Sequence, residues 1–266
     1  MATKARLLAF LAIPLFAGAS VAQELKQGEL VLSASIDVRV ESTPEAQLAY
    51  ASSLLRDVAT ASDSERPIAV GRVLAHLAAI EHYWPGATNA VFESLLLQAD
   101  VALSNRMPTA ALDALEKARK RRDGPELGYR AAKALLMLGN ADEATVRIDQ
   151  STNHPAFNGM SFIERQKALQ VGVTLAERLS DTNRMLRYLR AAAGIEELGP
   201  GVRAGYRLAA IRHALSKGSR QEAQKDLAEL NKLLADSKLR ELSGEERRTL
   251  DDAEAQAKKH AASFGG

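Results

Sequence analysis

At six points set apart by helix-length intervals, a short oxygen-bearing side chain stands three residues before a glutamate: Ser62/Glu65, Asp123/Glu126, Asn140/Glu143, Ser161/Glu164, Ser219/Glu222 and Ser243/Glu246. At that spacing the first side chain accepts from an otherwise unpaired helix N–H, while the glutamate reaches back to the first residue's own amide. Thr43-Pro44-Glu45 marks a further helix start, with proline at the first helical position. Pro85, Pro108, Pro125, Pro155 and Pro200 all fall between the periodic runs, where a ring that blocks helix hydrogen bonding does no damage. A chain punctuated this often folds as consecutive, closely linked helices, and the count is about ten helices of 12 to 20 residues.

Each run carries one apolar stripe. Phe92, Leu95, Leu96, Ala99 and Leu103 form the first, Ala111, Leu115 and Ala118 the next. Leu127, Ala131, Leu135 and Leu138 follow, then Ala141, Ala144 and Ile148. Met185, Leu186, Leu189, Ala192 and Ala193 repeat the theme, as do Ala223, Leu227, Leu230 and Leu234. Short connections force neighbouring helices antiparallel, so the units are αα-hairpins. Alanine supplies 48 of the 266 residues and aromatics only 5%, a balance that favours helices packed at close range. The absence of cysteine excludes a disulfide scaffold, an iron–sulfur cluster and a thiolate zinc site.

The apolar pattern recurs. Ala111-x3-Leu115-x2-Ala118 returns as Ala144-x3-Ile148-x2-Ser151, Met185-x3-Leu189-x2-Ala192 and Ala223-x3-Leu227-x2-Leu230, at displacements of 33, 41 and 38 residues. Between two of these, residues 134–144 read Ala-Leu-Leu-Met-Leu-Gly-Asn-Ala-Asp-Glu-Ala. That stretch resembles the turn between the two helices of a tetratricopeptide repeat. The resemblance is best over residues 92–155, with Ala99 and Ala132 at the helix-crossing positions and Ala111 and Ala144 as the second-helix alanines. The family's first-helix Trp, Leu and Tyr are replaced by Leu95, Gln98 and Ala102 in one unit and by Gly128, Ala131 and Leu135 in the next. The resemblance implies an all-α fold, a right-handed solenoid of antiparallel αα-hairpins over residues 43–242, in which each hairpin covers its neighbour's apolar face. Residues 243–266, polar except for Leu250, Ala253 and Ala257, read as a C-terminal capping helix and tail.

The N-terminus reads as an address. Lys4 and Arg6 precede a ten-residue apolar run, Leu7 to Phe16, and Ser20-Val21-Ala22 supplies small residues for cleavage before Gln23. Residues 1–22 are thus expected to be a signal peptide, too short to span a bilayer, with the mature chain periplasmic or secreted. Removing Lys4 and Arg6 leaves 33 basic against 33 acidic residues, which argues against a nucleic-acid partner. No later segment is apolar enough for a transmembrane span. Residues 23–42 read as an extended or mobile segment. Within it Leu30, Leu32, Ala34, Ile36, Val38 and Val40 alternate with polar residues, Val31 excepted, a strand pattern with no second run to pair with. It serves either as a leader after the cleavage site or as a strand that docks on another chain.

No catalytic constellation is visible. His76 and His82 lie six residues apart and cannot grip one ion on an unbroken helix; His154, His213 and His260 are isolated. Gly199-Pro200-Gly201 is a helix stop and restart, lacking the strand context of a phosphate loop. No cofactor, metal or enzymatic activity is expected. Function is read as protein–protein interaction in the cell envelope, by a scaffold, adaptor or assembly factor. The alternative is a peptidoglycan-acting hydrolase or its accessory subunit, and a third reading is a small ligand in a closed apolar pocket. If the tetratricopeptide geometry carries over, a groove for an envelope protein or peptide is lined by Glu93, Leu96, Asp100, Leu103, Tyr129, Lys133 and Leu136. The same leucines could equally pack beneath a neighbouring helix. Lys117, Arg119, Lys120, Arg121 and Arg122 crowd one helix end, either to complement its dipole or to form an anion patch.

Overall fold

Helices follow the punctuation closely. The computed structural model describes residues 4–6, 36–237 and 242–264. Among the described residues there are twelve α-helices: α1 (Pro44–Ser53), α2 (Leu55–Thr60), α3 (Arg66–Tyr83), α4 (Thr88–Ser104), α5 (Pro108–Arg121), α6 (Pro125–Met137), α7 (Ala141–Thr152), α8 (Phe162–Arg178), α9 (Thr182–Ala193), α10 (Pro200–Ser216), α11 (Arg220–Ser237) and α12 (Gly244–Phe264). The expected signal peptide lies outside the described residues except for Lys4–Arg6, and of the expected strand only residues 36–40 are described.

The caps form where no stronger partner competes. Thr43, Asn140 and Ser161 each accept from the amide three residues on, at 3.1, 3.3 and 3.2 Å. Ser243 and Glu246 complete the reciprocal box, with Glu246 N–H donating to Ser243 Oγ at 3.2 Å and Ser243 N–H to Glu246 Oε2 at 3.3 Å. At Ser62 only half forms: the Ser62 hydroxyl and amide both donate to Glu65, holding its carboxyl below the usual range. The boxes at Asp123 and Ser219 are not built as expected. Gly124 caps α6 and Glu126 turns to Arg122 at 2.9 Å, while Glu222 turns to Arg190 at 2.8 Å. In both cases a guanidinium takes the carboxylate the box needed, because it brings an opposite full charge where the amide offers only a neutral N–H.

Four helix-to-helix turns share one backbone signature. Arg106, Gly139, Ser180 and Gly218 all have left-handed φ, at 58°, 81°, 55° and 73°. They are separated by 33, 41 and 38 residues, the displacements of the apolar repeat. In three of them the next amide closes back five residues: Met107 to Ala102 O at 2.8 Å, Asp181 to Ala176 O and Ser219 to Ala214 O, both at 2.9 Å. The repeat is therefore a repeat of turn geometry as well as of apolar spacing. Glycine occupies the left-handed position twice, whereas Arg106 and Ser180 bear the steric cost of a Cβ there. Ser180→Gly is expected to raise stability by roughly 0.5–1 kcal/mol, and Gly139→Ala to lower it by about 1 kcal/mol, read as shifts of the urea midpoint.

The chain divides into two compact units, Met1–Leu138 and Gly139–Gly266, which share residues 43–242 between them. In the first, the α4 stripe of Phe92, Leu95, Leu96, Ala99 and Leu103 packs into Ala111, Leu115 and Ala118 of α5, with Leu127 and Ala134 of α6 closing the cluster. A second cluster joins Ala51 of α1 and Val70, Val73 and Leu77 of α3 to Val101 of α4. Leu138, grouped with the α6 stripe from sequence, is 51% exposed because the helix ends one residue earlier. Asp37–Arg39 (β2) pairs antiparallel with Lys4–Arg6 (β1), Val38 opposite Ala5, so the extended segment has a short partner within its own chain.

In the second unit α8 to α11 pack in chain order, and α12 lies against α10 and α11 with Leu250, Ala253 and Ala257 buried. Equivalent repeat positions are all interior: Ile148, Leu189 and Leu227 in one row, Ser151, Ala192 and Leu230 in another. One close approach depends on a missing side chain. A Cβ on Gly172 of α8 would stand 2.8 Å from the Tyr188 ring of α9, so the ring seats against bare backbone.

Candidate functional site

The seven groove positions separate by chemistry. Leu96, Leu103, Tyr129 and Leu136 are 7%, 5%, 3% and 7% exposed. Leu96 and Leu103 belong to the α4–α5 core, the packing alternative weighed from sequence. An apolar side chain or ring on the inner half of a crowded helix is drawn into the nearest apolar contact, so these four cannot form an open wall. Glu93 and Lys133 remain exposed. Asp100 is half-buried and already bound: Arg130 of α6 grips it in a bidentate pair, Nε to Oδ1 and Nη2 to Oδ2, both at 2.8 Å. The same guanidinium donates to Glu126 O at 3.0 Å and is 4% exposed. Asp100 therefore ties α4 to α6 across one hairpin.

The basic cluster is also largely spoken for. Arg121 donates to Glu81 at 3.3 Å and to Pro85 O at 3.2 Å, and Lys117 approaches Glu81 at 3.9 Å. Arg122 lies over the Phe92 ring, 3.8 Å from its centre, and meets Glu126 and Glu93. Arg119 and Lys120 stand exposed at the end of α5, where cations offset the negative pole of the helix.

Sequence reasoning missed the polar rungs between second helices. In the Gly139–Gly266 unit, the Tyr188 hydroxyl of α9 donates to Asp149 of α7 at 2.9 Å, and Arg184 and Arg187 bind the same carboxylate. One hairpin on, Arg190 of α9 takes Asp226 of α11 in a fork, with Nη2 to Oδ2 at 2.7 Å, and also reaches Glu222. Arg207 of α10 donates to the other Asp226 oxygen at 3.0 Å. The two rungs share a register: Asp149 and Arg190 each follow a core residue of the repeat, Ile148 and Leu189, while Tyr188 and Asp226 each precede one, Leu189 and Leu227. Burial, then the hydrogen bond it donates to the Asp149 carboxylate, pushes the Tyr188 phenol up, so it stays a donor. A signal existed in the polar residues flanking each repeated apolar position, but it appears only once the repeat has been aligned.

Of the remaining candidates, His213 has a buried, unpaired Nε2, and burial holds its imidazole below the ordinary value. Among the described residues no group of three His, Asp or Glu is placed to hold a metal ion. None of the described helices is long and apolar enough to cross a membrane. A cleft of about 470 Å³ is lined by Arg165, Gly194, Glu196 and Glu197, a charged lining unlike the apolar pocket considered for a small ligand.

Neither a protein-family model nor a curated protein sequence matches this chain. Among solved structures it is similar to YrrB, described as a TPR protein with an unusual peptide-binding site, at 17% identity and a TM-score of 0.44, over 80% of this chain and 90% of that one. The turn register of this chain stands independently of that likeness. The fold is all-α, built of αα-hairpins whose turns recur in one register.

Proposed function

We propose that this chain is an exported helical-repeat protein that binds another protein or peptide in the cell envelope, as a scaffold, adaptor or assembly factor. The observation that carries the reading is the common register of its hairpins. Apolar stripes are consumed inside, and charged positions such as Glu93 and Lys133 stay outside. Recognition then rests on charge and shape along first-helix positions, without a chemical step. Export is supported by the basic start, apolar run and small-residue exit of residues 1–22. A photo-crosslinking residue at Lys133 or Glu93 is expected to trap a discrete partner in intact cells. The same probe at Asp252, on the exposed face of α12, is the comparison. Equal labelling from all three positions would remove the proposed face. Separately, N-terminal sequencing of the exported chain is expected to begin at Gln23; an intact Met1 on chain retained in the cytoplasm would overturn the location.

A further inference from the structure

The extended segment before α1 is held by side chains that imitate a neighbouring strand. Amides two residues apart on a strand point to the same edge. On the edge of β2 away from β1, Arg39 N–H donates to His76 Nε2 of α3 at 3.2 Å, and Glu41 N–H donates to Gln47 Oε1 of α1 at 2.9 Å. Both acceptors are buried, His76 at 2% and Gln47 at 0% exposure, and Gln47 Nε2 donates in turn to His76 O at 3.2 Å. Immediately before the two amides, Val38 is 1% exposed and packs on Ala75 and Ala79, with Ile36, Val40 and Tyr83 around it.

This arrangement dictates one protonation state. His76 Nδ1 lies 2.9 Å from Arg72 O and must donate to it, so Nε2 carries no proton and can accept from Arg39. A proton added at Nε2 would set N–H against N–H in a buried site. The surroundings offer the cation little relief. On α3, Arg72 stands one turn away; on the extended segment, the Arg39 guanidinium is paired with Glu41 at 2.6 Å and stacks over Tyr50 at 4.9 Å, and Asp37 is exposed. Helix α1 presents neutral Gln47 and the Tyr50 ring, 5.1 Å from the imidazole. Helix α4 meets the same part of α3 with Leu97 and Val101, while its carboxylates Glu93 and Asp100 are paired with Arg122 and Arg130.

We infer that His76 is a pH-sensitive latch: neutral, it fastens residues 36–41 to α1 and α3, and protonation releases them, baring Ile36, Val38 and Val40 together with the Ala75–Ala79 slot. Burial is the leading cause that pulls the imidazole below its ordinary value of 6.5, ahead of the opposing bond to Arg72 O. The sign follows. The released segment binds the proton more readily than the latched one, so the latch is at full strength above pH 6.5 and weakens as pH falls from there toward the lowered value. The two amide bonds and the Val38 contact are made to α1 and α3, so they do not depend on Lys4–Arg6.

Hydrogen exchange on the full-length protein, corrected for intrinsic rates, tests this between about pH 7.5 and 5.5. Protection of the Arg39 amide is expected to fall roughly tenfold with the titration of the His76 imidazole, followed by nitrogen NMR, while Ala51 and Leu77 stay protected. In His76→Phe the Arg39 amide is expected to exchange rapidly at both pH values. Constant protection of Arg39 across the range, or loss in parallel with Ala51 and Leu77, overturns the latch. If His76→Phe does not fold, the wild-type comparison of the imidazole midpoint with the Arg39 midpoint decides, and midpoints that differ by more than about half a unit count against it.

Discussion

Asp226→Ala is expected to lower the unfolding free energy of the Gly139–Gly266 unit by about 3 kcal/mol, with the urea midpoint falling and the slope unchanged. Asp226 is 1% exposed and receives Arg190 and Arg207 together, so its removal leaves two guanidinium groups facing a space that water barely reaches. Breaking one side of a buried pair costs about 3–5 kcal/mol, and the 32% exposure of Arg190 places this case at the lower end. Glu222→Ala, at the wet end of the same cluster, is expected to cost much less. Repeating both in high salt separates them: the Asp226 effect persists and the Glu222 effect shrinks, because ions screen only the exposed carboxylate. Equal losses from the two variants would contradict the rung described here.

Gly172→Val is expected to cost about 3 kcal/mol, and most of that cost should vanish in a Tyr188→Leu background. The first added carbon alone would stand 2.8 Å from the Tyr188 ring, which is 1% exposed and anchored at its far end by Asp149. The ring cannot back away without surrendering that hydrogen bond. A flexible leucine can, so the coupling between the two positions should approach 2 kcal/mol in a double-mutant cycle of thermal or urea unfolding. Additive losses would mean that the clash is relieved by movement of α8 itself, and that Gly172 is not matched to Tyr188.

Much of the architecture was legible because helix starts are local chemistry. Thr43, Asn140, Ser161 and Ser243 cap as their spacing predicts, since a cap needs only its own next three residues. Asp123 lost its glutamate to Arg122, a neighbour in sequence, whereas Ser219 failed for a reason no local reading contains: the guanidinium that claims Glu222 comes from Arg190, on another helix. The groove was legible only in part. Periodicity put Leu96, Leu103 and Leu136 on helices, yet which side of a helix meets a neighbour depends on the neighbour's position. The three leucines went to the core, and the charged members Glu93 and Lys133 stayed out. Asp100 and Arg130, thirty residues apart, look like two surface charges until a hairpin brings them within 2.8 Å.

The amino-acid order by itself determined the helices, most of their starts, the extended stretch at 36–40 and the spacing at which the hairpins recur. Each of these depends on contacts within a few residues, or on apolar periodicity that survives in any helical packing. Tertiary structure alone decided which carboxylates are consumed as rungs, which leucines are hidden, and that His76 receives an amide from a strand 37 residues earlier. Those outcomes depend on distances between helices, and a side chain's partner across such a gap is fixed only when every intervening turn has set its angle.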